Sequence, residues 1–93
     1  MDNFKGTPGP WEIIPASING IEIENGDIRI CEIIAENDEY LLTELEWDNA
    51  RLIAAAPDLL EVCLKFQRHI SESLMAKSPF GLDEAINKAL GRG

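Results

Sequence analysis

Few side chains in this sequence are of the kinds that make or break bonds, and those few are not spaced for it. His69 is the single histidine, set between Arg68 and Ile70 in a stretch that reads as helix. No serine or cysteine can be placed beside it as an activated nucleophile, so it reads as a surface or boundary residue. Cys31 and Cys63 stand far apart in apolar stretches, which suits reduced core thiols and lacks the ligand spacing of a metal site. Gly6, Gly9, Gly20 and Gly26 form neither a phosphate-cradling loop nor a dinucleotide fingerprint. Carboxylates are numerous, but nothing picks out one pair for acid–base work. The expectation is a protein that is not an enzyme and uses no cofactor or metal.

What remains is binding chemistry. Trp11 follows Pro8-Gly9-Pro10, a rigid turn that fixes where the indole projects. It can cap the open end of a small core, or it can offer a stacking platform to a base or another aromatic ligand. Asn49 and Arg51 sit in an otherwise apolar, alanine-rich segment. The ordinary roles are a helix cap for Asn49 and a solvated face for Arg51. The sharper reading uses the short alanines to admit another backbone, with Arg51 as a planar donor to phosphate or carboxylate. Trp47 lies four residues before Arg51, one helical turn away on the same side, within reach of a cation–π contact. Arg29 is the one base expected in the sheet. Trp11, Arg29, Trp47, Asn49 and Arg51 are thus the candidate ligand-binding residues.

The elements that must hold these residues are legible in outline. Ninety-three residues make a single small domain with a modest core, of the size that often gains stability by oligomerising. Acids outnumber bases 17 to 8, for a net charge of −9. Broad binding to nucleic acid or to an anionic membrane is therefore not expected. No apolar run approaches the ~20 residues that span a bilayer, and no charged and apolar leader opens the chain, so a cytoplasmic protein is expected. The charge is uneven: residues 1–48 hold twelve acids against Lys5 and Arg29, while residues 49–93 hold five acids and six bases. The acidic half is either a solvated face or a patch that steers encounter with a basic partner.

Strands come first. Trp11-Glu12-Ile13-Ile14 reads as a short strand stopped by Pro15. Ile21-Glu22-Ile23-Glu24 alternates strictly, Asn25-Gly26 suits a type I′ turn, and Asp27–Ile34 resumes the alternation. Ile21, Ile23, Ile28 and Ile30 would share one face, with Glu22, Glu24, Asp27 and Arg29 on the other. The apolar parity changes between Ile30 and Ile33, which predicts a bulge near Cys31. Asn19-Gly20 is a second turn candidate. Helical spacing follows, with a Thr43/Glu46 capping box and Pro57 read as the first residue of a new helix. That helix carries the stripe Leu59, Val62, Cys63, Phe66, Ile70 and Leu74, widened by Leu60 and Leu64, so it needs two partners: the sheet plus another helix or a second subunit. The expected fold is α+β, a small antiparallel β-meander of about three strands over residues 1–36 packed on two to three helices, at 40–56, 57–76 and 82–91.

Thr7-Pro8-Gly9-Pro10-Trp11-Glu12, the segment Asn49-Ala50-Arg51-Leu52-Ile53-Ala54-Ala55-Ala56-Pro57-Asp58-Leu59-Leu60-Glu61 and the terminal Ala85–Gly91 together resemble a widespread family of small phage and prophage proteins. That family has a TPGPW opening, short strands and an NARLIAAAPELL-type segment. The acidic stretch Glu36–Asp48 departs from it. The resemblance implies an accessory protein made inside an infected bacterium, where small non-enzymatic proteins counter host defence. Two functions fit. The preferred one is a homo-oligomeric sponge that captures a small nucleotide immune signal with the five residues named above. The alternative is an anti-CRISPR-like acidic inhibitor covering a basic, nucleic-acid-binding surface of a host defence complex with Glu22, Glu24, Asp27, Glu36, Asp38, Glu39, Glu44, Glu46 and Asp48. The sponge is preferred because the family-like segment centres on Asn49 and Arg51.

Overall fold

The computed structural model describes residues 4–35, 41–72 and 80–92. Three strands and two helices follow in order: β1 (Glu12–Ser17), β2 (Gly20–Asn25), β3 (Ile28–Ile34), α1 (Glu44–Glu72) and α2 (Leu82–Ala89). This is the expected α+β arrangement, an antiparallel meander of order β1-β2-β3 ahead of the helices. Contacts gather into two units that divide between Pro57 and Asp58; residues through Gly6 group with the second.

In residues 7–57 the sheet register sets everything else. Ile13 pairs with Ile23 across β1 and β2, and Ile21 and Ile23 pair with Ile33 and Cys31 across β2 and β3. Cross-strand partners share a face, so these five residues line the core side. Ile21 and Ile23 are fully buried there, together with Ala50 of α1. Trp11, Ile30, Leu42, Trp47, Ile53 and Ala54 pack around them. On α1 the inward positions Glu46, Ala50 and Pro57 are buried and Trp47, Ile53 and Ala54 half-buried, the spacing of a single helical face.

Two irregularities adjust the sequence reading. The register shifts between Ile23 and Glu24, whose partners are Cys31 and Arg29. Ile30 is therefore the extra residue of a bulge, where the parity change required one. Beyond it Ile28 opposes Asn25 at the hairpin tip, past the reach of the core, and is 55% exposed. Its expected place in the buried face is corrected accordingly. The tip itself also differs. Asn25 and Ile28 still pair, so the two-residue loop is Gly26-Asp27, and Gly26 alone takes a positive φ of 58°. Glycine at the first central position fits a II′ turn better than the I′ turn expected at Asn25-Gly26. The first connection is likewise Ile18-Asn19, because Ser17 pairs with Gly20.

Proline behaves differently from expectation at two places. Pro15 lies within β1, opposite Ile21, and the register shifts immediately after it. An edge strand pairs on one side only, so a residue without an N–H costs it little. Pro57 stands inside α1, which is one helix and not two. Proline there removes the bond that Ile53's carbonyl would accept, but the strong helix formers Ala54–Ala56 before it and Leu59, Leu60, Glu61, Leu64 and Lys65 after it carry the helix through. The helix begins at Glu44, after Leu41–Thr43, which lie outside it. Its expected extension toward Met75, and Leu74 of the predicted stripe, lie outside the described residues, as do Tyr40 and the acidic run Glu36–Glu39.

In the second unit, Ile70 of α1 and Ile86 of α2 are buried. Gln67 Nε2 donates to Asp83 Oδ1 at 2.7 Å, joining the two helices. Gly91, at φ 76°, closes α2 with its N–H on the Lys88 carbonyl, and the Arg92 N–H reaches Asn87, an end of the Schellman kind. The predicted stripe of α1 divides here. Leu60, Cys63 and Leu64 are half-buried, whereas Leu59, Val62 and Phe66 stay exposed.

Candidate functional site

The sheet face opposite the core carries a cluster of charge, with Ile14 and Ile34 exposed beside it. Alternation along β2 puts Glu22 and Glu24 on the side away from Ile21 and Ile23. Glu12 pairs with Glu24 from β1, and Glu32 and Arg29 pair with Glu22 and Glu24 from β3. The bulge at Ile30 is what allows Arg29 and Glu32, three residues apart, to share this face. Four carboxylates thus share the face with one guanidinium. Arg29 Nε lies 3.5 Å from Glu22 Oε1, and its Nη1 lies 3.8 Å from Glu32 Oε1. Both are loose contacts of an exposed side chain, which stabilise little by themselves.

The crowding shows in the proton affinity of Glu24. A hydrogen bond that the protonated Glu24 carboxyl donates to Glu22, partial desolvation and the repulsion of Glu22 raise it above the ordinary range, and Arg29 offsets only part of this.

The other predicted residues lie off that face, and of them Trp11 and Trp47 share a neighbourhood. Trp11 and Trp47 both pack against the Ile21–Ile23–Ala50 cluster, on the core side. The Trp11 indole Nε1–H donates to the Thr7 carbonyl at 3.0 Å, which fixes the ring as a lid of the core. The turn before it is fixed too: Asn25 Nδ2 donates to the Pro8 carbonyl at 2.6 Å, and a Cβ on Gly9 would come within 3.1 Å of the Pro57 ring. The two family-like segments therefore meet at Gly9 and Pro57. Asn49 is exposed on α1. Arg51 is exposed, with its Nη1 2.6 Å from Asp48 Oδ1. A concavity beside α2 is lined by Glu84, Asn87, Lys88 and Gly91 and includes none of the five.

The acids predicted as a single surface are spread over different elements. Glu46 is buried in the helix start, not on a binding surface. Its carboxylate accepts from the Thr43 hydroxyl and, at 3.4 Å, from the Thr43 backbone N–H, the second being the bond by which a capping-box glutamate reaches back. The Thr43 hydroxyl chiefly holds Glu46 below the ordinary carboxylate range. Glu44 and Asp48 are exposed on α1, and Glu36, Asp38 and Glu39 lie outside the described residues. Glu12 and Glu32 were missed from sequence, because only the register reveals that they join Glu22 and Glu24. Burial pushes the Cys31 thiol up, which leaves it a weak nucleophile. Among the described residues no cluster of side chains suited to a metal ion occurs, and no helix is long and apolar enough to cross a membrane.

Compared with known proteins, the whole chain, residues 1–93, matches the family model described as Salmonella phage P22 protein Y8K6, so it belongs to that family. No curated protein and no solved structure matches.

Proposed function

We propose that this member of a phage protein family is a non-enzymatic binding protein whose acidic sheet face covers a basic, nucleic-acid-binding surface on a partner, such as a host defence complex. One observation carries the reading: Glu12, Glu22, Glu24 and Glu32 are brought onto one face with Arg29 as their only cationic neighbour on the sheet. A short rigid meander holds those carboxylates at strand and pleat spacings. A basic surface that otherwise grips phosphates would supply the missing positive charge and speed encounter.

The nucleotide sponge keeps less support. It needs Trp11 and Arg51 around one ligand, and Trp11 is committed to the core while Arg51 is exposed on α1. A ligand-dependent rise in melting temperature across a panel of cyclic and linear nucleotides, lost in Arg51→Ala, would restore it.

The test of the acidic face compares the wild-type chain with Glu22→Lys/Glu24→Lys/Glu32→Lys, immobilised side by side and exposed to purified host nucleic-acid-binding proteins. Wild type should retain a basic protein, duplex DNA should compete for it, and retention should fall at least tenfold between about 50 and 200 mM salt. The charge-reversed chain should retain none of it. Retention that survives both salt and charge reversal would reject the reading.

A further inference from the structure

Strand β3 pairs with β2 on one side, and among the described residues no strand pairs with its other side. The opposite edge of the sheet, β1, contains Pro15 and a register shift, whereas β3 runs seven residues without proline. The backbone groups that face outward from β3 follow from its ladder. The Ala35 N–H donates to the Asn19 carbonyl at 2.9 Å, one step beyond the Gly20–Ile34 pair. Hydrogen-bonded and non-bonded pairs alternate between antiparallel strands. Ile33 and Cys31 therefore bond to β2, while Glu32 turns its N–H and C=O away from it. Asn25 and Ile28 flank the two-residue loop as the bonded pair that closes such a hairpin. Arg29, the next residue, likewise turns its N–H and C=O outward.

The order of charges selects what fits there. Charged side chains on an edge strand ward off pairing in general, but Arg29 and Glu32 complement a second copy of themselves. The bulge at Ile30 puts both on one face. A two-fold axis normal to the sheet sets two copies of β3 antiparallel and keeps each face on its own side. A pairing centred on Arg29 or on Glu32 opposes like charges. One centred on Ile33 opposes Glu32 to Ile34 and pairs no charges within the strand. One centred at Ile30–Cys31 opposes Arg29 of each copy to Glu32 of the other, and those are the residues whose backbone groups face outward. It also sets Ile28, 55% exposed in the single chain, against Ile33 of the second copy on the core side. Pairing ends there, and Ile34 lies past the last pair beside the hairpin turn.

We infer that the free edge of β3 is a homodimer interface, at which two copies join antiparallel about Ile30–Cys31 into one continuous sheet. The occupant is a second copy because the charge order of the strand complements itself and opposes less well-matched strands. Arg29 is held in its own chain only by loose contacts, 3.5 Å to Glu22 and 3.8 Å to Glu32, so its exposed guanidinium turns to a second carboxylate at little cost. The axis leaves the acidic faces of both copies on the same side of the joined sheet, and the inference does not rest on what that face binds.

The experiment is sedimentation of the full chain at about 150 mM salt, which screens the repulsion between two chains of net charge −9. Wild type should be dimeric at about 100 µM, a concentration at which even a modest interface is populated. Arg29→Glu sets acids against acids and Glu32→Arg sets bases against bases, so each variant alone should dimerise about tenfold more weakly or worse. Mixed in equal amounts, the two variants should form a heterodimer, because both opposed pairs are then of opposite sign. Each variant still carries a net negative charge, so no general attraction mimics that result. In wild type the outward Glu32 amide should exchange about tenfold more slowly at about 100 µM than at about 1 µM. A wild-type monomer at the higher concentration, or a mixture no more dimeric than either variant alone, would overturn the inference. If a variant fails to fold, the Glu32 amide decides: equal exchange at the two concentrations would overturn it as well.

Discussion

At the scale of single residues, two glutamates show how placement sets protonation. Glu24 is held above its ordinary range by its neighbour Glu22, whereas Glu46 is held below it by Thr43. The signs for stability are opposite. A carboxyl raised in the folded state favours folding below its unfolded value of about 4.3 and loses that contribution as pH rises through the folded value. Glu46, being lowered, contributes stability above the unfolded value and loses it as pH falls through the folded one. Glu24→Gln keeps a partner for Glu22 and removes the repulsion, so it should melt higher than wild type at pH 7. The two curves should converge below about pH 4; thermal scans at a series of pH values check this. Sequence inspection found Glu22 and Glu24 by their alternation with isoleucine. It read Glu46 both as the partner of Thr43 in a capping box and as a surface acid, because a cap and an acidic run use the same letters; the structure keeps the first reading.

Between elements, the join of the Thr7–Trp11 turn with α1 deserves a substitution of its own. Gly9 faces Pro57 so closely that an added Cβ would stand 3.1 and 3.2 Å from two ring atoms, which would have to give by a few tenths of an ångström. Both neighbours are stiff, so the crowding cannot be relieved by turning a flexible side chain. Gly9→Ala should destabilise by about 1–3 kcal/mol, read as a lower urea midpoint at unchanged slope. The hairpin was legible because alternating isoleucines and an Asn-Gly pair carry strong local signals. The turn moved by one residue because the bulge at Ile30 changes which residues oppose each other, and pairing across strands is not a local property. Pro57 was read as a boundary for a sound local reason. Neighbouring propensity overrode it in the backbone, yet the division of contacts falls at the same residue.

For the whole molecule, charge is the dominant long-range property. Seventeen acids against eight bases repel one another in any compact state, and dissolved salt screens that repulsion. The melting temperature at fixed protein concentration should therefore climb by about 2–5 °C between low and near-molar sodium chloride; a flat or falling trend would mean that local ion pairs outweigh the net field. The candidate binding face was half legible in sequence. Composition gave its sign and alternation gave two of its four acids, but Glu12 and Glu32 enter through the register. The predicted use of Arg51 rested on a helix segment whose exposure no local pattern reports. The edges of the sheet carry one more consequence. Filament growth by strand addition needs a receptive side at each end of the repeating unit, and β1, with Pro15 and a broken register next to it, offers a poor one. A meander this rich in isoleucine can therefore be concentrated without seeding fibres, since any accretion on β3 would halt at the next molecule's blunt side.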